Sequence, residues 1–127
     1  MSNRAIISTP AAPDALGPYS QAINAGNTVW LSGQIPLVPE SGELVAGDIT
    51  AQATQVFNNL SAVAEAAGGS LNSAVKINIS LTDLADFAAV NDVMAQFVQE
   101  PYPARACVQV AALPKGAAIE VEAILCL

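Results

Sequence analysis

Apolar residues recur along this chain with two different periods, and that change of period constrains the fold more than any other feature. After Asp48, a favourable N-cap residue, they repeat every three or four positions over residues 49–67, as on one face of a helix. A second stripe of this kind begins after Asp83 and is stopped by Pro101. The other apolar stretches are shorter and several alternate with polar residues, which predicts strands at residues 5–8, 20–25, 28–32, 75–81, 104–110 and 119–126.

This succession of elements predicts an α/β (α+β) fold in which a single sheet carries two helices on one face, in one domain over residues 1–127. A chain of this length can bury a core without a disulfide or a metal. Apolar residues make up 53% of the chain and charged residues 12%, which is about half the usual share of charge. This composition excludes a disordered chain and predicts an oligomer, because apolar surface remains for another copy to cover.

The ionisable residues exclude or disfavour several classes of function. The net charge is −7, from 4 basic and 11 acidic residues, which argues against nucleic acid as a partner because no broad basic patch can form. With no histidine, a serine–histidine–aspartate triad is impossible, and the cysteines Cys107 and Cys126 have no partners for a zinc site. Neither a signal peptide nor a long apolar run is visible, so we expect a cytoplasmic protein.

Charged side chains inside the predicted strands mark the sheet face that the helices leave open. If the alanines and valines of residues 104–110 and the apolar residues of 119–126 face the helices, the open face carries Lys76, Asn78, Ser80, Arg105, Cys107, Gln109, Glu120 and Glu122. Strand interiors hold charge poorly unless it is solvated or paired. A solvated outer face and a functional role are equally compatible with Lys76, Gln109 and Glu122, whereas Arg105 and Glu120 are the stronger candidates for a functional site.

Three blocks near the C-terminus closely resemble the signature of the RidA/YjgF family of enamine/imine deaminases: PYPARACVQV at 101–110, LPKG at 113–116 and IEVEA at 119–123. Further blocks are similar to the family's upstream pattern: GPYSQA at 17–22, LSGQIP at 31–36, and Asp83-Leu84, Phe87 and Val90-Asn91 in the second helix. The blocks occur in the family's order and cover nearly the whole chain, so their combination is specific although a single block is not.

The resemblance implies a homotrimer of chorismate-mutase-like subunits, with active sites in the clefts between subunits and no cofactor. It also implies hydrolytic deamination of 2-aminoacrylate- and 2-aminocrotonate-type enamines and imines, which pyridoxal-phosphate dehydratases release, to 2-keto acids and ammonia. The link between Phe97 and Pro101 looks shorter than in many members, which leaves the preferred substrate size open.

The resemblance also assigns roles to matching positions. Arg105 would hold the substrate carboxylate through two parallel charged hydrogen bonds, and Glu120 would position or activate the attacking water. Cys107 would contribute its backbone N–H and C=O rather than its thiol, since no histidine or adjacent basic cluster activates the sulfur. The other substrate-binding residues implied are Tyr19, Ser32, Gly33, Asn91 and Tyr102, of which Asn91 could instead orient the loop before Arg105.

Three other functions are compatible with parts of this pattern. The same arginine pocket would serve a non-catalytic module that binds 2-keto acids. An endoribonuclease or translation inhibitor, as some relatives are labelled, is disfavoured by the net charge of −7. A chorismate mutase needs several cations in one pocket, and this chain has only 4 in all.

Overall fold

Six strands form one mixed sheet in the computed structural model, which describes residues 4–127. The strands are β1 Arg4–Ile7, β2 Ala22–Ala25, β3 Thr28–Gln34, β4 Ala74–Leu81, β5 Ala104–Gln109 and β6 Ile119–Cys126. The helices are α1 Ile49–Ala66 and α2 Phe87–Met94, with 3₁₀ turns at Leu71–Ser73, Leu84–Asp86 and Pro114–Gly116. The spatial order is β1-β2-β3-β6-β4-β5; β4 and β5 run parallel and are joined through α2, while the other neighbouring pairs are antiparallel. The prediction of a single sheet with two helices is confirmed.

Helix α1 begins and ends where the sequence predicts. The Asp48 side chain accepts a hydrogen bond from the N–H of Ala51, and Gly68 after the helix adopts a φ of 94°. The face packed against β3, β6 and α2 is buried, and its largest side chains are Val56, Phe57, Leu60 and Val63. No helix in residues 4–127 is long and apolar enough to cross a membrane.

Two polar side chains of α1 form hydrogen bonds with the loop after β3 and with the residue before β6. Asn59 Nδ2 donates to the Leu37 carbonyl over 2.9 Å, which fixes the loop after β3. Gln52 Oε1 accepts from the N–H of Ala118 over 2.9 Å, which fixes the start of β6. The buried Asn59 therefore anchors the loop after β3 to the helix layer, and Gln52 anchors the first residues of β6 to the same layer.

The second helix is shorter than the apolar stripe predicts. Leu84, the first apolar residue of the predicted stripe, lies instead in a 3₁₀ turn capped by the Asp83 side chain and is 46% exposed. The turn's Leu84 N–H donates to Gln109 Oε1, so this segment is held to the edge strand β5 rather than to the core. The α-helix ends at Met94, well before Pro101, because the backbone tightens there into bonds between residues three apart.

Strands β4 and β6 show the predicted alternation with one exception. The buried side chains of both strands face the helices: Ile77, Ile79 and Leu81 from β4 and Ile119, Val121, Ala123 and Leu125 from β6. The alternation over residues 75–81 predicts that Val75 also lies on this face, but its side chain is 49% exposed. The pairing with β6 shifts by one residue between Ala74 and Lys76, and this bulge turns Ala74 inward in place of Val75.

Strand β5 presents the opposite face from the one the sequence analysis expects. Ile77 pairs with Arg105 and Ile79 pairs with Cys107 across the parallel ladder. Residues paired in register point to the same face, so Arg105 and Cys107 lie on the helix side. Ala104, Ala106 and Val108 lie on the open face, and Val108 is 52% exposed. The expectation that Arg105 and Glu120 share a face within one chain is therefore wrong, because the register with β4 decides which way β5 faces.

Candidate active site

Arg105 projects from the edge strand towards α2, and three side chains of that helix hold it. Its Nη1 donates to Asn91 Oδ1 and lies 3.8 Å from Met94 Sδ, and its guanidinium carbon lies 5.1 Å from the centre of the Phe87 ring. These positions are spaced by four and three residues, so they form one face of the helix. None of the three partners is negatively charged, and the guanidinium therefore keeps its charge for an anionic ligand.

A cleft of about 450 Å³ opens beside this arginine. Its walls combine the end of α2 with the approach to β5: Asn91, Met94, Ala95, Val98, Tyr102, Pro103 and Arg105. Of the predicted binding residues, Asn91 and Tyr102 thus lie in the same cleft as Arg105. A mostly apolar wall with one guanidinium suits a small carboxylate that carries a short apolar side chain.

Cys107 lies two residues further along the same strand and is half-buried. Burial raises the pKa of its thiol, and the nearby Arg105 guanidinium opposes that shift only in part. Val110 donates its N–H to the Leu81 carbonyl, so the backbone groups of alternate residues point towards β4. The backbone N–H and C=O of Cys107 then point to the open edge of the sheet, where a ligand can reach them.

Glu120 belongs to a second pocket, on the face of the sheet that the helices leave open. This pocket has a volume of about 400 Å³ and is lined by Tyr19, Ser32, Gly33, Asn78, Ser80, Glu120 and Glu122. Partial burial raises the pKa of the Glu120 carboxyl, and the neighbouring Glu122 carboxylate raises it further. A carboxyl with a raised pKa is suited to exchange protons at moderately acidic pH.

A β-bulge in β3 creates the space for that carboxyl. The register between β3 and β6 shifts between Leu31 and Gln34, so that Ser32 and Gly33 form the irregular segment opposite β6. A Cβ placed on Gly33 would lie 3.0 Å from Glu120 Cδ and 3.3 Å from Glu120 Oε2. A glycine at this position therefore lets the β3 backbone and the carboxyl approach closely.

Ser32 and Gln21 anchor the loop that carries Tyr19. The Ser32 hydroxyl donates to the Ser20 carbonyl, and its backbone N–H donates to the Gln21 carbonyl. The buried Gln21 side chain accepts from the N–H of Thr9 over 2.8 Å and donates to the Pro13 carbonyl over 2.8 Å. Tyr19 itself is 54% exposed at the pocket. Ser32 thus acts in this structure as a support for the loop.

The predicted site residues fall into two groups that a single chain does not bring together. The first group, which we call the arginine half, comprises Asn91, Tyr102, Arg105 and Cys107 at the helix-side edge. The second group, the glutamate half, comprises Tyr19, Ser32, Gly33 and Glu120 on the open face.

Sequence reasoning missed Met94 as a support for Arg105, since its position in an apolar stripe indicated only a core residue. The alternation of β4 had already placed Asn78 and Ser80 on the open face with Glu120, but their part in the pocket was not predicted.

Comparisons with known proteins agree with one another over nearly the whole chain. The family model described as Endoribonuclease L-PSP matches residues 9–126. The chain is 51% identical over 125 residues to the 2-iminobutanoate/2-iminopropanoate deaminase of Dermatophagoides farinae, with 98% of both chains covered. The crystal structure of RidA from an Antarctic Psychrobacter is 58% identical, with a TM-score of 0.93 over 97% of this chain and 99% of that one. The structure of E. coli TdcF with bound serine is 44% identical, with a TM-score of 0.91 over 97% and 98%.

Proposed function

The chain belongs to the family described as Endoribonuclease L-PSP, and from its similarity to deaminases of this family we propose that it hydrolyses 2-iminobutanoate- and 2-iminopropanoate-type substrates to 2-keto acids and ammonia. The name of the Dermatophagoides relative supports this activity. These imines are the tautomers of 2-aminocrotonate- and 2-aminoacrylate-type enamines. Because hydrolysis of the imine releases ammonia, the chain is an enzyme that breaks a C–N bond in a small carboxylate. A serine molecule bound to the E. coli relative fits such a site, because serine also carries a carboxylate and nitrogen on adjacent carbons.

The observation that carries the architecture of the site is the separation of Arg105 and Glu120 onto opposite sides of one sheet. If the edge of one copy meets the open face of the next, each contact joins an arginine half to a glutamate half. Such a contact uses two different patches, and repeated copies form a ring when the rotation that relates them closes. The open face offers apolar surface for it, since Trp30 is 51% exposed and Val108 is 52% exposed. The family resemblance implies three copies, and the homotrimer is part of the proposal.

In the proposed mechanism the two halves act in turn on one substrate. The Arg105 guanidinium binds the carboxylate through its planar fork, and the backbone of Cys107 at the sheet edge adds hydrogen-bonding groups. The enamine then tautomerises to the imine as a proton moves to the β-carbon. Water attacks the imine carbon and gives up a proton to the Glu120 carboxylate. Glu120 returns that proton to the nitrogen, which gives a carbinolamine. The hydroxyl proton of the carbinolamine then passes to the nitrogen, again through Glu120, as the C–N bond breaks; ammonia leaves and the carbonyl of the 2-keto acid forms.

The required acceleration is modest because small imines already hydrolyse in water. Losing one fixed polar group of an active site typically costs about 10²–10³ in rate. One guanidinium and one carboxyl are therefore sufficient machinery.

The cytoplasmic location expected from the sequence stays a prediction.

A coupled assay tests the activity. A serine or threonine dehydratase generates the enamine, and the release of 2-keto acid is followed with and without this protein. We expect faster release with the protein present. Unchanged release would favour a module that binds 2-keto acids without turning over imines, and degradation of RNA by highly purified protein would favour the endoribonuclease.

Mixing two inactive variants tests the shared site. Arg105→Ala removes one half and Glu120→Ala removes the other, so each variant alone should be inactive. When the two are unfolded together in equal amounts and reassembled at random, about a quarter of the interfaces should combine an intact arginine half with an intact glutamate half. Recovery of about a quarter of wild-type activity supports the shared site, whereas a mixture as inactive as its components contradicts it.

A further inference from the structure

We propose that Gln109 is a positioning residue that holds the start of α2 against β5 and thereby sets the orientation of Arg105. The inference rests on one element of the proposed function, namely that Arg105 binds the carboxylate. It adds a residue that makes no contact with the substrate itself.

The orientation of Arg105 depends on where α2 lies. The groups that contact its guanidinium are Asn91 Oδ1, Met94 Sδ and the Phe87 ring, and all three belong to that helix. Residues of the same helix and of the approach to β5 line the cleft together. A shift of α2 relative to β5 would therefore change both the direction of the guanidinium and the width of the cleft.

The two ends of the α2 region are anchored differently. After the helix, Val98 is only 4% exposed and the Phe97 ring stacks on Phe57 with centroids 5.5 Å apart. Before the helix, Leu84 is 46% exposed and Asp86, the residue that precedes the helix, makes no side-chain cap. Apolar packing thus secures the helix from Phe87 onwards, whereas the turn before it, Leu84–Asp86, has no buried residue.

Gln109 forms a hydrogen bond that anchors the turn before the helix to β5. Its Oε1 accepts a hydrogen bond of 3.0 Å from the Leu84 N–H, across 25 residues of sequence. Gln109 follows Arg105 by four positions on the same strand, so both side chains project to the helix side. One strand therefore contacts the α2 region at two points, through Gln109 at the preceding turn and through Arg105 in the helix itself. The hydrogen bond of Gln109 thus fixes the position of the helix whose side chains contact Arg105.

Replacing the acceptor while keeping the size of the side chain tests this role. Gln109→Met removes the acceptor, and Gln109→Glu keeps an oxygen at the same reach. The added carboxylate would lie about 13 Å along the strand from Arg105, beyond the screening length of about 8 Å at physiological ionic strength. Binding of 2-oxobutanoate, the product of 2-iminobutanoate hydrolysis, is measured by titration calorimetry. We expect Gln109→Met to raise the Kd by about threefold to tenfold and Gln109→Glu to stay near the wild-type value.

Kinetics separate positioning from general loss of structure. In the coupled assay Gln109→Met should raise KM by a similar factor while kcat changes little, because the carboxylate contact is made in ground state and transition state alike. Gln99→Met, an exposed glutamine whose contact with Asn72 uses only its backbone N–H, is the matched control and should behave as wild type.

Several results would overturn the proposal: an unchanged Kd in Gln109→Met, an equal loss in Gln109→Glu, or a loss accompanied by a change in oligomeric mass. Wild-type protein that binds no 2-oxobutanoate would also overturn it, since Arg105 would then hold no carboxylate. The proposed function is judged separately by imine hydrolysis in the wild type. The role proposed for Gln109 can therefore be wrong while the proposed deaminase activity is right. Conversely, an effect of Gln109→Met on binding, in a protein that does not hydrolyse imines, would support the role of Gln109 and contradict the deaminase activity.

Discussion

The arginine half and the glutamate half of the site are built by different means. Contacts between distant elements form the first, because a helix supplies the side chains that hold Arg105 on a neighbouring strand. Backbone irregularity forms the second, because a bulge and the absent Cβ of Gly33 make room for Glu120. The cation has neutral partners and is ready to bind an anion, whereas the carboxyl has a raised pKa and is ready to move a proton. In the proposed function, carboxylate binding and proton transfer therefore lie on separate faces of one sheet, so we expect substitutions to impair one without the other.

Removing the guanidinium should produce the largest effect. We expect Arg105→Ala to lower kcat/KM by about 10²–10³ with the fold intact. Arg105→Lys keeps the charge but loses the planar fork, so it should still lose about tenfold or more. Arg4→Ala, which removes an arginine from the opposite edge strand, is the matched control. Full acceleration by Arg105→Ala in the coupled assay would contradict the assignment of the arginine half.

Removing the carboxyl should affect turnover rather than binding. Glu120→Gln is expected to lower kcat by about 10², while the Kd of 2-oxobutanoate changes little. In the wild type, activity should fall as the pH drops through the Glu120 pKa, because the protonated carboxyl cannot accept a proton from water. That pKa is raised, so the loss should begin at a higher pH than an ordinary glutamate would give. A pH–rate profile of Glu120→Gln that keeps this acid limb would show that another group is responsible.

Changes to the support of Arg105 should weaken binding and leave the chemistry intact. Asn91→Leu removes the acceptor of the Arg105 hydrogen bond and should raise the Kd of 2-oxobutanoate by about tenfold. Asn91→Asp should weaken binding further, because the new carboxylate would compete with the ligand for the guanidinium. Calorimetry on both variants gives the order. Tighter binding by Asn91→Asp than by Asn91→Leu would refute this account of the arginine half.

A methyl group on the bulge should disturb the glutamate half alone. The Cβ of Gly33→Ala would meet the Glu120 side chain at 3.0 Å and push it by a few tenths of an ångström. We expect kcat to fall about threefold to fivefold, because catalysis is sensitive to such displacements. In a Glu120→Gln background the same methyl should cost little further activity. Independent, multiplicative losses in the double variant would mean that Gly33 acts elsewhere.

The neighbouring carboxylate should tune the pH profile by the smallest amount. Glu122→Gln removes one of the two causes that raise the Glu120 pKa, so the acid limb of the wild-type profile should move to lower pH. Burial is the larger cause and remains, so the movement should be below about one pH unit. An acid limb that moves to higher pH would contradict the direction of this coupling.

Helix α1 and strand β6 could be read from the sequence because their patterns are local. Asp48 caps α1 as expected, and the alternation over Ile119–Cys126 places Glu120 on the open face, as the structure shows. Leu84 and Val75 were misassigned because each fits an apolar pattern that tertiary contacts override. Leu84 is held by Gln109 from another strand, and Val75 is turned outward by a bulge.

The succession of strands and helices along the chain, the cap of α1 and the family could all be predicted from the sequence, because period and residue type are properties of neighbouring positions. The directions of Arg105, towards α2, and of Glu120, away from it, follow from the way the strands pair. Alanine, cysteine and valine on β5 are similar enough in polarity to fit either face, so the sequence of β5 does not predict which of its side chains face the helices. The register with β4 decides this, because Ile77 is buried and its partner Arg105 must point to the same side.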